Sequence, residues 1–465
     1  MHWIDYFLIF AYLGVVFAIG AFFFKRQSRI DEYFVGDRKM GTAHIGLSVV
    51  ATDVGGGFSI GLGGLGFAMG LAGSWLLFTG LIGAWMAAVL LIPRVKALGD
   101  EHGYLTYPDF LETRFDGRVR LLAALVSGIG YAGFVGGQVL AGGKLCAAAF
   151  EIDLVTAVLI MSVVVIVYTA FGGLQAVIYT DTFQWAVLLI GLSLVAFPLA
   201  FFRAGGWEAV RHQLPEGHLD LFNVSPTQFV VWMLTIVPIW FVGMTLYQRI
   251  YATKDVKTAQ RAWYLAGLLE WPLMAFLGVT LGMFSRILYP AVEAEMGLPT
   301  LIRDVMPAGL AGLVMAAYFS AIMSTADSCL LASAGNFTND IYQKYIRPDA
   351  PEKRVLAVSR WVTVALGAAS VGLALLLPTV LEMILLSYSF MVSGLFAPTL
   401  CGLLFKGGTP KAALWSMAAG GGSAVLFELV SGPDPPVAPI LGSLPLSFAV
   451  YAAFSWADAR SAAKG

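Results

Sequence analysis

The chain has 465 residues, of which 58% are hydrophobic and only 12% charged, with a formal net charge of −1. Those proportions exclude an ordinary soluble domain, and the near-neutral balance gives no basic surface for nucleic acid. Apolar runs of about 20 residues, the length that crosses the hydrocarbon core of a bilayer, recur from end to end.

The first run, near 4–24, lacks a basic leader and a small-residue cleavage site, so it reads as a retained span. A basic loop at 25–39 leads to spans near 43–70 and 74–98, then to a polar loop at 99–120. Further spans fall near 121–149, 153–172, 175–202, 228–250, 261–286, 308–335, 357–377, 379–405, 411–431 and 437–456. The pattern predicts an all-α polytopic membrane protein of thirteen helices, with its termini on opposite faces. Cys146, Cys329 and Cys401 lie inside apolar runs at no metal-ligand spacing and read as small core residues.

Within the second span, Val49–Gly66 reads VVATDVGGGFSIGLGGLG, a carboxylate (Asp53) beside a glycine triplet (Gly55–Gly57). Backbone groups released from a helix in hydrocarbon need a partner, so a helix broken to hold a cation is one reading. A glycine face that admits a close neighbour is the other. The span at 228–250 carries Pro238 and Gly243 and is a second candidate break.

Lys and Arg set the orientation. With the N-terminus outside, the inner loops hold Lys25, Arg26, Arg29, Arg38, Lys39, Arg94, Lys96, Arg114, Arg118, Arg120, Arg249, Lys254, Lys257 and Arg261, and later Lys344, Arg347, Lys353, Arg354, Lys406, Lys411, Arg460 and Lys464. The outer loops keep only Arg203, Arg211, Arg286 and Arg303. Leaving out the leading span, the next ten read as five plus five, and an odd repeat length makes the second half inverted. Repeat one is 43–202, repeat two 228–405, and 411–456 forms two trailing helices of a single transporter domain spanning 1–465.

In 319–343, Ala321, Ser324, Thr325 and Ser328 share one helical face. The stripe suits interhelical contact or an oxygen-rich ion site. Asp327 lies within the same span and Asp181 near the end of another, where an acid costs at least ~2.5–3.5 kcal/mol unless paired or hydrated. Hydroxyls, freed carbonyls and carboxylates suit Na+, whereas the absence of His and Cys from these positions makes a poor transition-metal site.

Several motifs resemble the sodium:solute symporter family: DEYFVGDRKMG (31–41), LTYPDFLETRF (105–115), GGLQAVIYTDTFQ (172–184), YQR (247–249), the run 298–328 and GLFAPTLCGLLFKGGTPKAA (394–413). The resemblance implies the leucine-transporter fold and a sodium held by the carbonyls of Ala51, Val54 and Ala321 and the hydroxyls of Ser324 and Thr325. Some members have a second sodium at positions matching Asp181, Ser324, Asp327 and Ser328, though those members carry a hydroxyl where Asp327 stands. Asp53 matches an acid of the proline-type carriers that serves sodium and substrate; its other reading is an N-capping carboxylate. Trp240, Gly243 and Met244 match substrate-facing positions, and Gly57 and Tyr131 join them, although a buried aromatic also serves simply as packing. Glu270, beside Pro272, either pairs with Lys144 or faces water, with no assigned role.

The expected protein is a sodium-coupled secondary active symporter, not an enzyme, in a plasma membrane of the bacterial inner-membrane type. Its partners are a small solute, Na+ and lipid. A proline-like amino acid, amine or compatible solute leads, with a monocarboxylate or pantothenate-like acid as runner-up. A transporter-like sensor lacks any kinase or receiver segment through Gly465, and a channel would need a pore lined across its whole depth.

Overall fold

The computed structural model describes residues 1–24, 35, 38–171, 181, 184–377, 379–405, 407–431 and 437–462. Most of the basic loop at 25–39, most of the 172–184 motif, Lys406 and Lys464 lie outside them. The described residues are helical, with no named strand and one isolated parallel bridge, Met40 to Thr253.

The helices used below are α1 (Trp3–Phe24), α2 (Thr42–Asp53), α3 (Gly55–Met69), α4 (Trp75–Leu90), α5 (Ile92–His102), α6 (Tyr107–Arg114), α7 (Gly117–Phe150), α8 (Leu154–Phe171) and α9 (Gln184–Arg203). They continue as α10 (Gly206–Gln213), α11 (Pro226–Val242), α12 (Met244–Ala252), α13 (Val256–Leu288), α14 (Ala294–Val305), α15 (Leu310–Ile346), α16 (Glu352–Ala374), α17 (Val380–Leu404), α18 (Pro410–Ser431) and α19 (Ile440–Ala462). Among the described residues nine helices are long and apolar enough to cross a membrane, or ten if α11 and α12, bent by 43°, form one span. Length and apolarity alone select fewer than thirteen because Gly57–Leu90 counts as one continuous span and the apolar helices at Trp3–Val15 and Leu154–Ala170 are shorter.

Both interruptions expected from sequence are present. The first is narrower than the glycine triplet: α2 ends at Asp53, and α3 begins at Gly55 with φ +42°. That left-handed conformation favours glycine, and a Cβ there would collide with Thr325 Oγ1. The later glycines of the run serve the other purpose. A Cβ at Gly66 would strike the Val279 backbone, and one at Gly282 the Gly63 carbonyl, so α3 and α13 meet backbone to backbone. The second break follows Val242, where Gly243 is extended (ψ 112°), while Pro238 stays inside α11.

α15 is the axis of the molecule, 94% buried over its most apolar window. It packs along α7, and α1 crosses its start. There Asp5 Oδ1 accepts from the backbone N–H groups of Gly309 (2.6 Å) and Gly312 (2.9 Å), filling donors that a helix N-terminus leaves open. Three stretches read as loops contain short helices, α6, α10 and α14, too brief and too polar for a span signal. α6 is held by a capping box between Thr106 and Asp109.

Candidate functional site

The first cluster lies where α2 stops. Thr325 Oγ1 is 2.9 Å from the Ala51 carbonyl of α2 and 2.9 Å from the Ala321 carbonyl of its own helix. Ser324 Oγ donates to the same Ala321 carbonyl at 3.2 Å. Ala51, Val54, Ala321, Ser324 and Thr325 are all buried. A hydroxyl has one proton to donate, so this pocket holds more acceptors than donors, which suits a hard cation.

The second cluster is organised by Arg249, which sequence reasoning counted among the inner-loop cations. It is fully buried on α12. Its guanidinium donates to Ser48 Oγ (3.0 Å), the Thr245 carbonyl (3.2 Å), Thr52 Oγ1 (2.5 Å) and Ser328 Oγ (2.9 Å), and lies 3.5 Å from the Asp181 carboxylate. Ser48 Oγ donates to the same carboxylate oxygen at 2.5 Å. Asp181 and Ser328 therefore meet through an arginine, and Ser324 stands beside Asp181. Asp327 bonds instead with the Thr169 hydroxyl of α8, leaving Oδ2 without a partner among the described residues. The available signal for Arg249 was its place in an apolar stretch, MTLYQRIYA, between two tyrosines.

The third cluster surrounds Asp53. This residue ends α2 and does not cap α3, whose N-cap is Val54 with no side-chain bond. Tyr388 OH donates to Asp53 Oδ1 at 3.4 Å. The Tyr388 ring stacks on Phe134 at 5.1 Å and lies 6.1 Å from Phe58. Tyr131 OH is 3.0 Å from Thr245 Oγ1 and accepts from the Thr245 N–H, which places it at the second break beside Gly243. Gly57 N–H donates to Gln138 Oε1 at 3.1 Å. Trp240 is fully buried against Gly83 of α4, with its indole N–H unpartnered among the described residues. The Met244 sulfur accepts from the Tyr107 N–H of α6 at 3.1 Å. Tyr388 and Gln138 carry no local signal in sequence, because their roles arise from helices distant in the chain.

Lys144 pairs with Glu293 (3.0 Å) and Glu295 (2.7 Å), not with Glu270. Glu295 also accepts from the first N–H groups of α17, at Val380 and Leu381, tying α14 to α7 and α17. Above these contacts a cavity of about 690 Å³ opens, lined in part by Thr235, Glu293, Glu382, Ser389 and Glu428. Its floor stops at Thr235 and Ser389, short of Asp53. Among the described residues no His, Cys, Asp and Glu grouping has metal-ligand geometry.

The helical architecture matches that of a Na+-coupled sialic acid symporter in a substrate-bound outward-open state, at a TM-score of 0.80 and 23% identity, covering 98% of both chains. A closed form of the nucleobase-cation symporter Mhp1 matches at 0.59 and 14% identity, covering 94% of this chain and 96% of that one. In sequence the chain is 28% identical over 373 residues to the high-affinity proline transporter PutP of Bacillus subtilis, covering 77% of each. It is also 28% identical over 408 residues to sodium/glucose cotransporter 1 of Oryctolagus cuniculus, covering 77% of this chain but 60% of that longer relative. The pattern of the sodium:solute symporter family matches residues 33–420, and the chain belongs to that family of sodium-coupled membrane transporters.

Proposed function

We propose that the protein couples the inward sodium gradient to uptake of a small polar solute bearing a basic nitrogen, such as a proline-like amino acid, an amine or a compatible solute. The observation that carries this reading is the pair of adjoining clusters at one helix break. The Ala51 and Ala321 carbonyls and the Ser324 and Thr325 hydroxyls supply oxygens on one side. Asp53, beside Tyr388, supplies a carboxylate on the other. Sodium takes the first cluster, with the Val54 carbonyl completing the set. By joining α2 to α15 it favours the conformer in which the solute pocket is formed, and solute must then favour sodium equally.

The wider arrangement follows the sequence reading: thirteen spans, an inverted five-plus-five core with one leading and two trailing helices, and the N-terminus outside a plasma membrane. Asp181, Ser324, Asp327 and Ser328 would form a second sodium site. Arg249 already engages Asp181 and Ser328, which favours a single coupled sodium while that contact is closed. Arg249 and Lys144 are buried cations committed to carboxylates, so neither supports the alternative of a carboxylic-acid solute.

Uptake into proteoliposomes with and without a sodium gradient tests the reading. Saturable accumulation of a basic or zwitterionic solute only with the gradient is expected. Gradient-independent flux, or accumulation confined to acids, would overturn it.

A further inference from the structure

A second cavity, of about 740 Å³, opens where α7 and α18 begin, and none of its lining residues belongs to the three clusters. Both helices are long and apolar enough to span, so their first turns mark one face of the membrane. α18 packs against α7 and α19. Yet α18 and α19 are only 33% and 28% buried over their most apolar windows, so the groove borders lipid. Arg118 and Lys411 line it, and among the described residues neither forms an ion pair. The two acids of the lining are held in place by local bonds. Asp116 caps α7, accepting from the N–H groups of Arg118 and Val119 at 3.0 Å each. Asp458 Oδ2 accepts from the Thr409 hydroxyl at 2.7 Å, and that hydroxyl accepts from the Ala412 N–H of α18 at 3.2 Å. Oδ1 of Asp458 has no partner among the described residues.

Polarity changes along the groove. Leu122 stands one helical turn beyond Arg118, and Leu414, Trp415 and Ala418 follow Lys411 on one helical face. Charged groups therefore meet the membrane surface, and apolar ones continue towards the hydrocarbon. Trp415 stacks on Phe454 at 6.0 Å and 11°, and the Lys411 ammonium lies 5.3 Å from the centre of the same ring. Trp415 and Trp456 are both more than half exposed, as tryptophans at a membrane interface are. An inorganic phosphate would meet the cations and make no use of the apolar wall, whereas a phospholipid meets both. Arg118 and Lys411 are matched in charge by Asp116 and Asp458, so a headgroup carrying both signs fits better than a purely anionic one.

We propose that this groove holds a membrane phospholipid whose headgroup carries a phosphate and a primary ammonium. The phosphate takes Arg118 and Lys411, the ammonium donates to Asp458 Oδ1, and an acyl chain lies along Leu122, Leu414 and Trp415. A quaternary ammonium headgroup has no N–H to give Asp458, and a polyol headgroup has no cation. Bound there, the lipid ties α18 and α19 to α7 without touching the ion seat.

The test is native mass spectrometry of the purified full-length protein, delipidated in detergent and titrated with phosphatidylethanolamine, phosphatidylcholine or phosphatidylglycerol of the same acyl composition. Phosphatidylethanolamine should be retained most tightly. Arg118→Gln with Lys411→Gln should weaken its retention by about 10- to 30-fold, from roughly fivefold for each basic residue near a membrane surface. Asp458→Asn keeps an acceptor for Thr409 and should erase the preference for phosphatidylethanolamine over phosphatidylglycerol. It also serves if the double Gln variant fails to fold, which sodium-dependent thermal protection, expected to be unchanged, reports. Arg118→Lys with Lys411→Arg keeps both charges and should restore most of the retention. Equal retention of the three lipids by the wild type, a preference for phosphatidylglycerol, or retention unaffected by the double Gln substitution would overturn the proposal. So would displacement of the lipid by an equal concentration of soluble phosphoethanolamine or inorganic phosphate, because the acyl chains would then contribute nothing.

Discussion

Arg249 lies 3.5 Å from Asp181, both side chains fully buried, with Ser48 bonded to each. Breaking such a buried contact by removing one partner typically costs about 3–5 kcal/mol, because the survivor is left without compensation. Arg249→Gln should therefore lower the thermal midpoint clearly, and Arg249→Gln with Asp181→Asn should recover part of the loss. A double variant no more stable than the sum of the single losses would mean the two residues act independently.

Removing a hydroxyl from the α2–α15 junction tests the sodium seat. Ser324→Ala and Thr325→Ala should each raise the sodium concentration for half-maximal uptake about tenfold, the effect of ~1.4 kcal/mol. Thr325→Ser retains the oxygen that faces Ala51 and should stay within a few-fold of wild type. Unchanged sodium dependence in both alanine variants would leave the hydroxyls as interhelical contacts alone.

Gly55→Ala tests the break itself. Its φ of +42° and the contact with Thr325 give a side chain neither a relaxed backbone nor space. A destabilisation of about 1–2 kcal/mol or more should accompany weaker sodium binding, since the Ala51 carbonyl and Thr325 would be pushed apart. Gly422, where an added methyl would meet nothing within 4 Å, is the matched control and should tolerate alanine.

Asp5→Ala should loosen the start of α15 against the leading helix without touching the ion seat. The lost bonds to Gly309 and Gly312 are worth about 0.5–2 kcal/mol as a helix cap. Asp5→Asn retains an acceptor and should restore most of the thermal stability. Sodium affinity should be unaffected in both variants, as measured by sodium-dependent protection.

Membrane character, the two helix interruptions and the hydroxyl stripe of α15 were legible in the sequence because each is local. A run of apolar residues sets a span, a glycine or proline sets a break, and spacing along a helix sets a face. The motif order likewise carried the family without reference to any contact. What only the tertiary structure decided is which buried charge meets which. Arg249 counts in sequence as a loop cation, yet the bend at Gly243 carries it inward to Asp181 and Ser328. Lys144 has several acids to choose from, and the fold of α14 delivers Glu293 and Glu295 to it, leaving Glu270 opposite Gly80. Tyr388 is 335 residues from Asp53 along the chain and one hydrogen bond from it in space. Charges inside a membrane protein are compensated over a few ångströms by helices remote in sequence, so composition and periodicity place them in the membrane but do not name their partners.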